Sequence, residues 1–391
     1  MAIINVAYIL HHTTSVGGGS KSFMEMLGGL IQEGVQPYII MPNRDDIFHD
    51  FERMNIPTFV TTFRNNAYPD VQSWKDFLLF IPRLFARIIV NQKATNEVVQ
   101  YLRDKKIDLI HTNVSVCNIG YKAARKMNLP HIYHVREYGD KDFNIHYFPS
   151  KKTLLKSLDS PMSYTIFITK DIQKHFHQES KPTSRVIYNG IQPRVSLLPT
   201  SENTDFFLFA GKVKPPKGLL ELIIAYNRYK ACVSKNLPLY VAGDTEDQAY
   251  YKKIQKFISD NHLNNDIKFL GVRKDINSLM RQAKAIIIPS WNEGFGRCMA
   301  EAMFNGCLCI GHNTGGTKEQ MDNGISSTGQ EIALRYNTEE QLVQLLCKVS
   351  NSDKESFLAM KERAFQTVNN LYSSEANIQS VLMFYHHILK T

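Results

Sequence analysis

Cysteine is scarce in this chain, with six in 391 residues, at 117, 232, 298, 307, 309 and 347. No two have the Cys-x-x-Cys spacing of a zinc or redox site, and the number suits free thiols in a reducing cytoplasm. No apolar run approaches the ~20 residues of a membrane span. The opening Met-Ala-Ile-Ile-Asn-Val-Ala-Tyr-Ile-Leu lacks the basic stretch and small-residue cleavage site of a secretion signal, and reads as a first buried strand. Short-period repeats and low-complexity tracts are missing. So are the stacking platforms and groove-reading motifs of nucleic-acid binders. What remains is a globular composition, 43% apolar and 21% charged. At roughly 150 residues per domain, the length predicts two or three domains. The net charge of +9 is unevenly placed. Residues 1–195 carry 24 Lys+Arg against 17 Asp+Glu, and residues 196–391 carry 22 against 20. The basic first half suits an anionic membrane, nucleic acid or an anionic substrate.

Apolar runs alternate with amphipathic stretches. Ile4–Leu10, Pro37–Met41, Thr58–Val60, Asp108–His111, His131–Val135, Tyr164–Ile168 and Arg185–Tyr188 read as strands buried on both faces. Ser22–Glu33, Phe77–Arg103 and Asn118–Met127 read as helices between them. The pattern breaks over residues 192–205, at Pro193, Leu197-Leu198-Pro199-Thr200-Ser201 and Glu202-Asn203-Thr204. It then restarts, with strands Phe206–Ala210, Leu239–Ala242, Ile267–Leu270, Ala285–Pro289 and Leu308–Gly311. Helices Gly218–Tyr229, Ala249–Asn261, Ile276–Gln282 and Arg297–Phe304 lie between, and Glu339–Lys348, Lys354–Leu371 and Glu375–Leu389 form a helical tail. The expectation is an α/β protein of two doubly wound, Rossmann-like parallel-sheet domains. Residues 1–195 form the first, 205–372 the second, and 373–391 a terminal helix. Ligands of such sheets bind at the carboxyl ends of the strands, so two facing sheets make one central cleft suited to joining two substrates.

Four segments carry the chemistry. In Pro289-Ser290-Trp291-Asn292-Glu293-Gly294-Phe295-Gly296-Arg297, a buried strand ends, a glycine loop follows and a helix starts near Arg297. Gly294 and Gly296 admit close backbone approach, and the helix N-terminus favours an anion without a metal. Glu293 is in the loop. Glu301, inside the helix, has two acceptor oxygens to match a ribose diol, although cap and surface roles explain both carboxylates too. Gly211-Lys212-Val213-Lys214-Pro215-Pro216-Lys217-Gly218 also joins a strand to a helix, and Lys212 and Lys217 can hold a diphosphate or simply face solvent. Val16-Gly17-Gly18-Gly19-Ser20-Lys21-Ser22 permits close approach at a first helix. It is neither a Walker loop nor a dinucleotide fingerprint, and a plain flexible turn explains it as well. In His131-Ile132-Tyr133-His134, His134 is placed to meet a ligand, while His131 is equally able to be the exposed one. Asp140-Lys141-Asp142 is a short Asp-x-Asp in a charged loop and is read as binding no metal.

Together these segments resemble the retaining GT-B glycosyltransferases of family 4. The resemblance rests on Glu293 and Glu301 within Glu-Gly-Phe-Gly-x4-Glu-Ala, followed by Asn305-Gly306-Cys307-Leu308-Cys309-Ile310 and Thr314-Gly315-Gly316-Thr317-Lys318-Glu319. Val186-Ile187-Tyr188-Asn189-Gly190-Ile191, Val241-Ala242-Gly243-Asp244 and Phe269-Leu270-Gly271 fit as well, so that the match covers about residues 4–325. The resemblance implies that Glu293 contacts the donor sugar and Glu301 the ribose. Lys217 and Lys212 would bind and stabilise the leaving diphosphate. Gly294, Phe295, Gly296, Arg297 and Gly243 would line the donor site, Gly18 and Gly19 would close over it from the first domain, His134 would touch the sugar, and Arg273 would lie by the base. The family usually has Arg where this chain has Lys212, which keeps the charge but loses the planar fork. Residues 375–389 resemble the helix that crosses back to the first domain.

The implied activity is a retaining, metal-independent transfer from a UDP- or GDP-sugar to a glycan or lipid-linked sugar, in cell-surface polysaccharide biosynthesis, with no cofactor. No carboxylate nucleophile for double displacement stands out. A sugar-nucleotide epimerase of the same architecture is the competing reading, and would turn over its substrate without an acceptor. The stretch Asp76–Val90 is apolar with Arg83 and Arg87. It suits either a buried helix or an interfacial one, the latter placing the enzyme in peripheral contact with anionic lipid at the inner face of the cytoplasmic membrane.

Overall fold

The computed structural model describes residues 3–11, 14, 17–69, 74–199, 205–353 and 355–390. Val16, the linker residues Thr200 to Thr204, and Lys354 lie outside the described residues, as do the side chains of Asp76 and Phe77. The chain divides into two compact units: one runs to Gln192 and resumes at Ser374, and the other is Pro193–Ser373.

The first unit is built on a seven-stranded sheet, all parallel. Across it the strands run Thr58–Val60, Val35–Met41, Ile4–Ile9, Leu109–Thr112, His131–Val135, Ser163–Phe167 and Ser184–Val186. The order reverses at Ile4–Ile9, which pairs with both Val35–Met41 and Leu109–Thr112. The central strands are buried on both faces, as their continuous apolar runs require. A small antiparallel pair, Ala67–Pro69 with Ile145–Tyr147, stands apart. The terminal helix Ser374–Lys390 belongs to this unit: Val381, Leu382, Phe384, Tyr385 and Ile388 join Tyr8, Phe23, Leu27 and Leu30 in one core. Each such buried side chain contributes roughly 1.5–3 kcal/mol. The hydroxyl of Ser374 also donates to Glu25 at 2.6 Å, fastening the helix start to helix Gly18–Gln32.

The second unit has six parallel strands in the order Ile267–Gly271, Leu239–Ala242, Phe207–Ala210, Ala285–Ile288, Cys309–His312 and Leu334–Tyr336. Here the order reverses between Phe207–Ala210 and Ala285–Ile288, which pair directly although they are far apart in the chain. Its core gathers Phe207, Leu222, Ile223, Tyr226, Tyr229, Val241, Ile287 and Ile310.

Differences from the sequence reading have local causes. Helices Asp46–Arg53, Lys151–Leu158 and Lys170–His175 are too short for their periodicity to stand out, though Ser150 and Thr169 cap two of them through their hydroxyls. The first helix begins at Gly18 rather than Ser22, so that Gly18 and Gly19 occupy its first turn and not a loop. Helix Gly315–Thr328 was hidden by its own Gly-Gly start. The tail helix expected from Lys354 begins at Leu358.

Candidate active site

The reversal of strand order in the second unit brings two loops side by side. Residues 211–218 leave Phe207–Ala210, and residues 289–296 leave the neighbouring strand Ala285–Ile288. They are tied by the Trp291 N–H, which donates to Pro216 O at 3.1 Å. Lys217, at the end of the tight turn Pro215–Lys217, places Nζ 2.5 Å from Glu293 Oε1. The side chains are 28% and 16% exposed, so this pair is sheltered but reachable. Gly218 closes the turn at φ 68°, where a Cβ would come within 2.3 Å of Pro289 O. Glycine is therefore required for the two loops to meet.

Lys212 extends to Glu246, at 3.0 and 3.1 Å, in an exposed pair. Between these lysines lies Lys214, which sequence reasoning passed over. Burial, together with Lys217 and Lys212, lowers its pKa against the pull of Glu293 and Glu246, so all five charges share one neighbourhood. The alternation Lys-x-Lys before the diproline was the available signal. Glu293 and Glu246 offset two of the three ammonium groups, and the N-terminus of helix Arg297–Phe304 adds a partial positive charge.

The Glu293 loop is supported from behind. Gly316 N–H donates to Glu293 O at 2.7 Å, Thr314 Oγ1 to Trp291 O at 3.0 Å, and Gln320 Nε2 to the carbonyls of Phe295 and Gly296 at 2.5 and 3.1 Å. Thus helix Gly315–Thr328 presets the loop, a role that the sequence reading did not give it. Glu301 lies one turn into its helix and accepts from Arg297, at 3.2 and 3.1 Å. Cys298 Sγ contacts Ala210 O at 3.3 Å, and burial, with Glu301 and Glu293 next, pushes its thiol pKa far up. Cys298 is a packing contact here and not a nucleophile.

Two further expected site residues belong to this unit. Arg273 follows the edge strand Ile267–Gly271, and its guanidinium is held by Asp275 at 2.8 and 2.6 Å. Gly243 is fixed by packing: a Cβ there would come 1.8 Å from Gly211 O. It lets the loop after Leu239–Ala242 rest on the lysine loop.

In the first unit, His131 and His134 are both buried, so neither is the exposed histidine that the sequence left open. His131 Nε2 pairs with Thr112 Oγ1 at 2.8 Å. His134 Nδ1 lies 3.1 Å from His111 Nε2. The Asp-x-Asp carboxylates are engaged: Asp140 with Lys151 at 2.8 Å and His175 at 2.7 Å, Asp142 with the N–H groups of Tyr138 and Gly139 at 3.0 and 2.7 Å. Nearby Glu137 accepts from Ser115 N–H and Oγ–H at 3.0 and 2.6 Å, while burial raises its pKa to about 7. Gly18 and Gly19 sit in the first turn of helix Gly18–Gln32, and among the described residues no atom outside Gly19, its chain neighbours and its own helix backbone lies within 4 Å of where a Gly19 Cβ would be.

Residues 16–195 match the family described as Glycosyltransferase Family 4, and residues 197–367 match Glycosyl transferases group 1. The chain is similar to an N-acetyl-alpha-D-glucosaminyl L-malate synthase of Bacillus anthracis, 22% identical across 62% of this chain and 64% of the relative. It is also similar to the UDP-Gal:alpha-D-GlcNAc-diphosphoundecaprenol alpha-1,3-galactosyltransferase of Escherichia coli, 25% identical across 70% of this chain and 74% of that protein. In the first curated relatives, the matched stretch spans about two thirds of their length. Among solved structures, Anabaena Alr3699/HepE in complex with UDP superposes with a TM-score of 0.78 at 19% identity, covering 98% of this chain and 100% of the other, a likeness of fold.

Proposed function

We propose, from the premise that this chain belongs to the group 1 glycosyltransferases, that it moves a sugar with retention from a nucleoside-diphosphate sugar to a glycan or lipid-linked sugar, without a divalent metal. The observation that carries this is the Lys217–Glu293 pair, set where the strand order reverses and beside a helix N-terminus. Breaking a sugar–phosphate bond leaves negative charge on the diphosphate. Lys217, Lys212 and Lys214 receive that charge in place of a metal ion, which is electrostatic preorganisation. Glu293 exchanges its lysine partner for the sugar, and supports positive charge growing at the anomeric carbon. Glu301 binds the ribose diol. A departing phosphate oxygen takes the acceptor proton, so attack on the same face retains the configuration. The E. coli relative's named acceptor, a GlcNAc-diphosphoundecaprenol, supports a lipid-linked acceptor in surface-polysaccharide assembly.

The test is a panel of UDP-glucose, UDP-galactose, UDP-N-acetylglucosamine and GDP-mannose. At least one should raise the melting temperature, since a ligand specific to the native state stabilises it. Transfer should survive excess EDTA, and product NMR should show the donor's anomeric configuration. Turnover that needs no acceptor would instead mark an epimerase. Loss of transfer in EDTA, restored by magnesium, would overturn metal independence.

The same reading places the acceptor at a lipid surface. No helix among the described residues is long and apolar enough to cross a membrane. Helix Trp74–Leu102 nevertheless exposes Trp74, Leu78, Leu79, Ile81, Phe85, Ile88 and Ile89, with Arg83 exposed among them. An apolar surface mixed with arginine suits insertion between anionic headgroups. Vesicles containing phosphatidylglycerol should float the protein at low salt, and Phe85→Glu should at least halve the bound fraction. Equal recovery on neutral and anionic vesicles would count against it.

A further inference from the structure

The six cysteines do not behave alike. Cys117, Cys307 and Cys309 are buried, and burial pushes the thiols of Cys117 and Cys307 up to about 12. Cys298 is half-buried, and its thiol is spent on Ala210 O. Cys232 is exposed and Cys347 half-buried, and these two thiols are in hydrogen-bonding contact with each other. Both are free cysteines of the second unit, and neither belongs to the site described above.

The fold holds them there. Cys232 ends helix Leu219–Cys232, and Cys347 lies in helix Glu339–Ser350, one turn before its end. Leu222, Tyr226 and Tyr229 of the first helix share one core with Leu342, Leu346 and Val349 of the second. Tyr229 Oη donates to Ser350 Oγ at 2.8 Å, and Arg228 Nη1 donates to Glu339 and Glu340 at 2.7 and 3.0 Å. Residues three apart share a helix face. Cys232 stands three residues after Tyr229 and Cys347 three before Ser350, which puts the two thiols beside the bond that joins the helices. Burial first, and Cys232 second, raise the Cys347 pKa. Cys347 therefore keeps its proton more firmly than an ordinary thiol, and the exposed Cys232 is the one that an oxidant meets first.

We propose that Cys232 and Cys347 are a redox dithiol, which a small disulfide of the glutathione type converts to an intramolecular disulfide clasping helix Leu219–Cys232 to helix Glu339–Ser350. The Cys232 thiolate attacks the small disulfide, whose S–S bond breaks. One half leaves as a thiolate and takes up the proton that Cys232 gave up, while the other half stays on Cys232 as a mixed disulfide. Cys347 then loses its proton and attacks the Cys232 sulfur. The Cys232–Cys347 bond forms, and the second half leaves and takes up that proton. In balance, two protein thiols are oxidised by two electrons and one small disulfide is reduced to two thiols. The closed loop, residues 232–347, contains Glu293 and Glu301. The clasp restrains the unfolded chain and so stabilises the unit that carries them.

The test treats the full-length native protein with oxidised glutathione, measures the intact mass, then caps the remaining thiols with iodoacetamide and maps the peptides by mass spectrometry. The wild type should lose the mass of two hydrogens, keep no glutathione and give a cross-linked peptide pair joining Cys232 to Cys347, and dithiothreitol should reverse the change. Cys347→Ser should trap one glutathione on Cys232, since no second thiol displaces it. Cys232→Ser should take up glutathione about tenfold more slowly than Cys347→Ser, because only the half-buried thiol of the pair is left. The oxidised wild type should melt about 5 °C or more above the reduced protein, and glutathione-treated Cys347→Ser should not. A mixed disulfide that persists on Cys232 in the wild type, a cross-link to any other cysteine, or two thiols that stay free would overturn the proposal. So would Cys232→Ser reacting as fast as Cys347→Ser, or a cross-linked protein that melts no higher than the reduced one. If a serine variant does not fold, the wild-type peptide map and melting curves decide.

Discussion

Lys217→Ala should lower kcat by about 10²–10³, the usual consequence of removing one preorganised charge donor, while leaving the melting temperature within a few degrees of the wild type. Lys217 ends a tight turn whose fold depends on Pro215, Pro216 and Gly218 and not on the ammonium group. The variant therefore removes charge where diphosphate charge develops, and leaves the backbone in place. Glu293→Ala should fall comparably, for a different reason: it removes the carboxylate 2.5 Å from that lysine. The double variant should lose far less than the product of the two single losses, because residues acting as a unit are not additive. Lys217→Arg should recover only part of the activity, since a planar fork does not replace a point charge in this turn. Steady-state kinetics on the donor chosen by the panel, with thermal melting alongside, checks all four. Turnover like the wild type in either alanine variant would remove the assignment.

Gly243→Ala should act through the fold instead. The added methyl would come 1.8 Å from Gly211 O, a backbone atom that cannot turn aside as a side chain can. The loops after Phe207–Ala210 and Leu239–Ala242 must separate, straining the hydrogen bonds Gly211 N to Ala242 O and Val213 N to Asp244 O, at 2.9 and 2.7 Å. A loss of about 3 kcal/mol is reasonable for backbone overpacking, which lowers the melting temperature of a unit this size by roughly 6–12 °C. Lys212 is carried on the displaced loop, so donor affinity should fall as well. A melting curve that superposes on the wild type would show that the loops have room to move.

Much of this site was legible because parallel-sheet strands announce themselves. Buried apolar runs ending in glycine loops marked residues 211–218 and 289–296, and the chemistry of Lys217 and Glu293 could be read in place. Their meeting could not be deduced from periodicity, since it depends on Phe207–Ala210 pairing with Ala285–Ile288 instead of only with its neighbour in sequence. At Arg273 a local pair went unread, since the acidic residue two positions on, Asp275, was in plain view. The packing demand at Gly243 was invisible because the carbonyl it rests on belongs to another loop. Least accessible was Tyr385: its partner His111 lies 274 residues away, and no local pattern links a tyrosine on a terminal helix to a histidine inside a sheet.

The terminal helix has a consequence for biosynthesis. Pro193–Ser373 is contiguous in the chain, whereas the first unit needs Ser374 onward to complete its core. On the ribosome the later-made lobe can finish before the earlier one. The first half must wait, with the surface meant for Val381, Phe384 and Tyr385 uncovered, until residues 374–390 have been made.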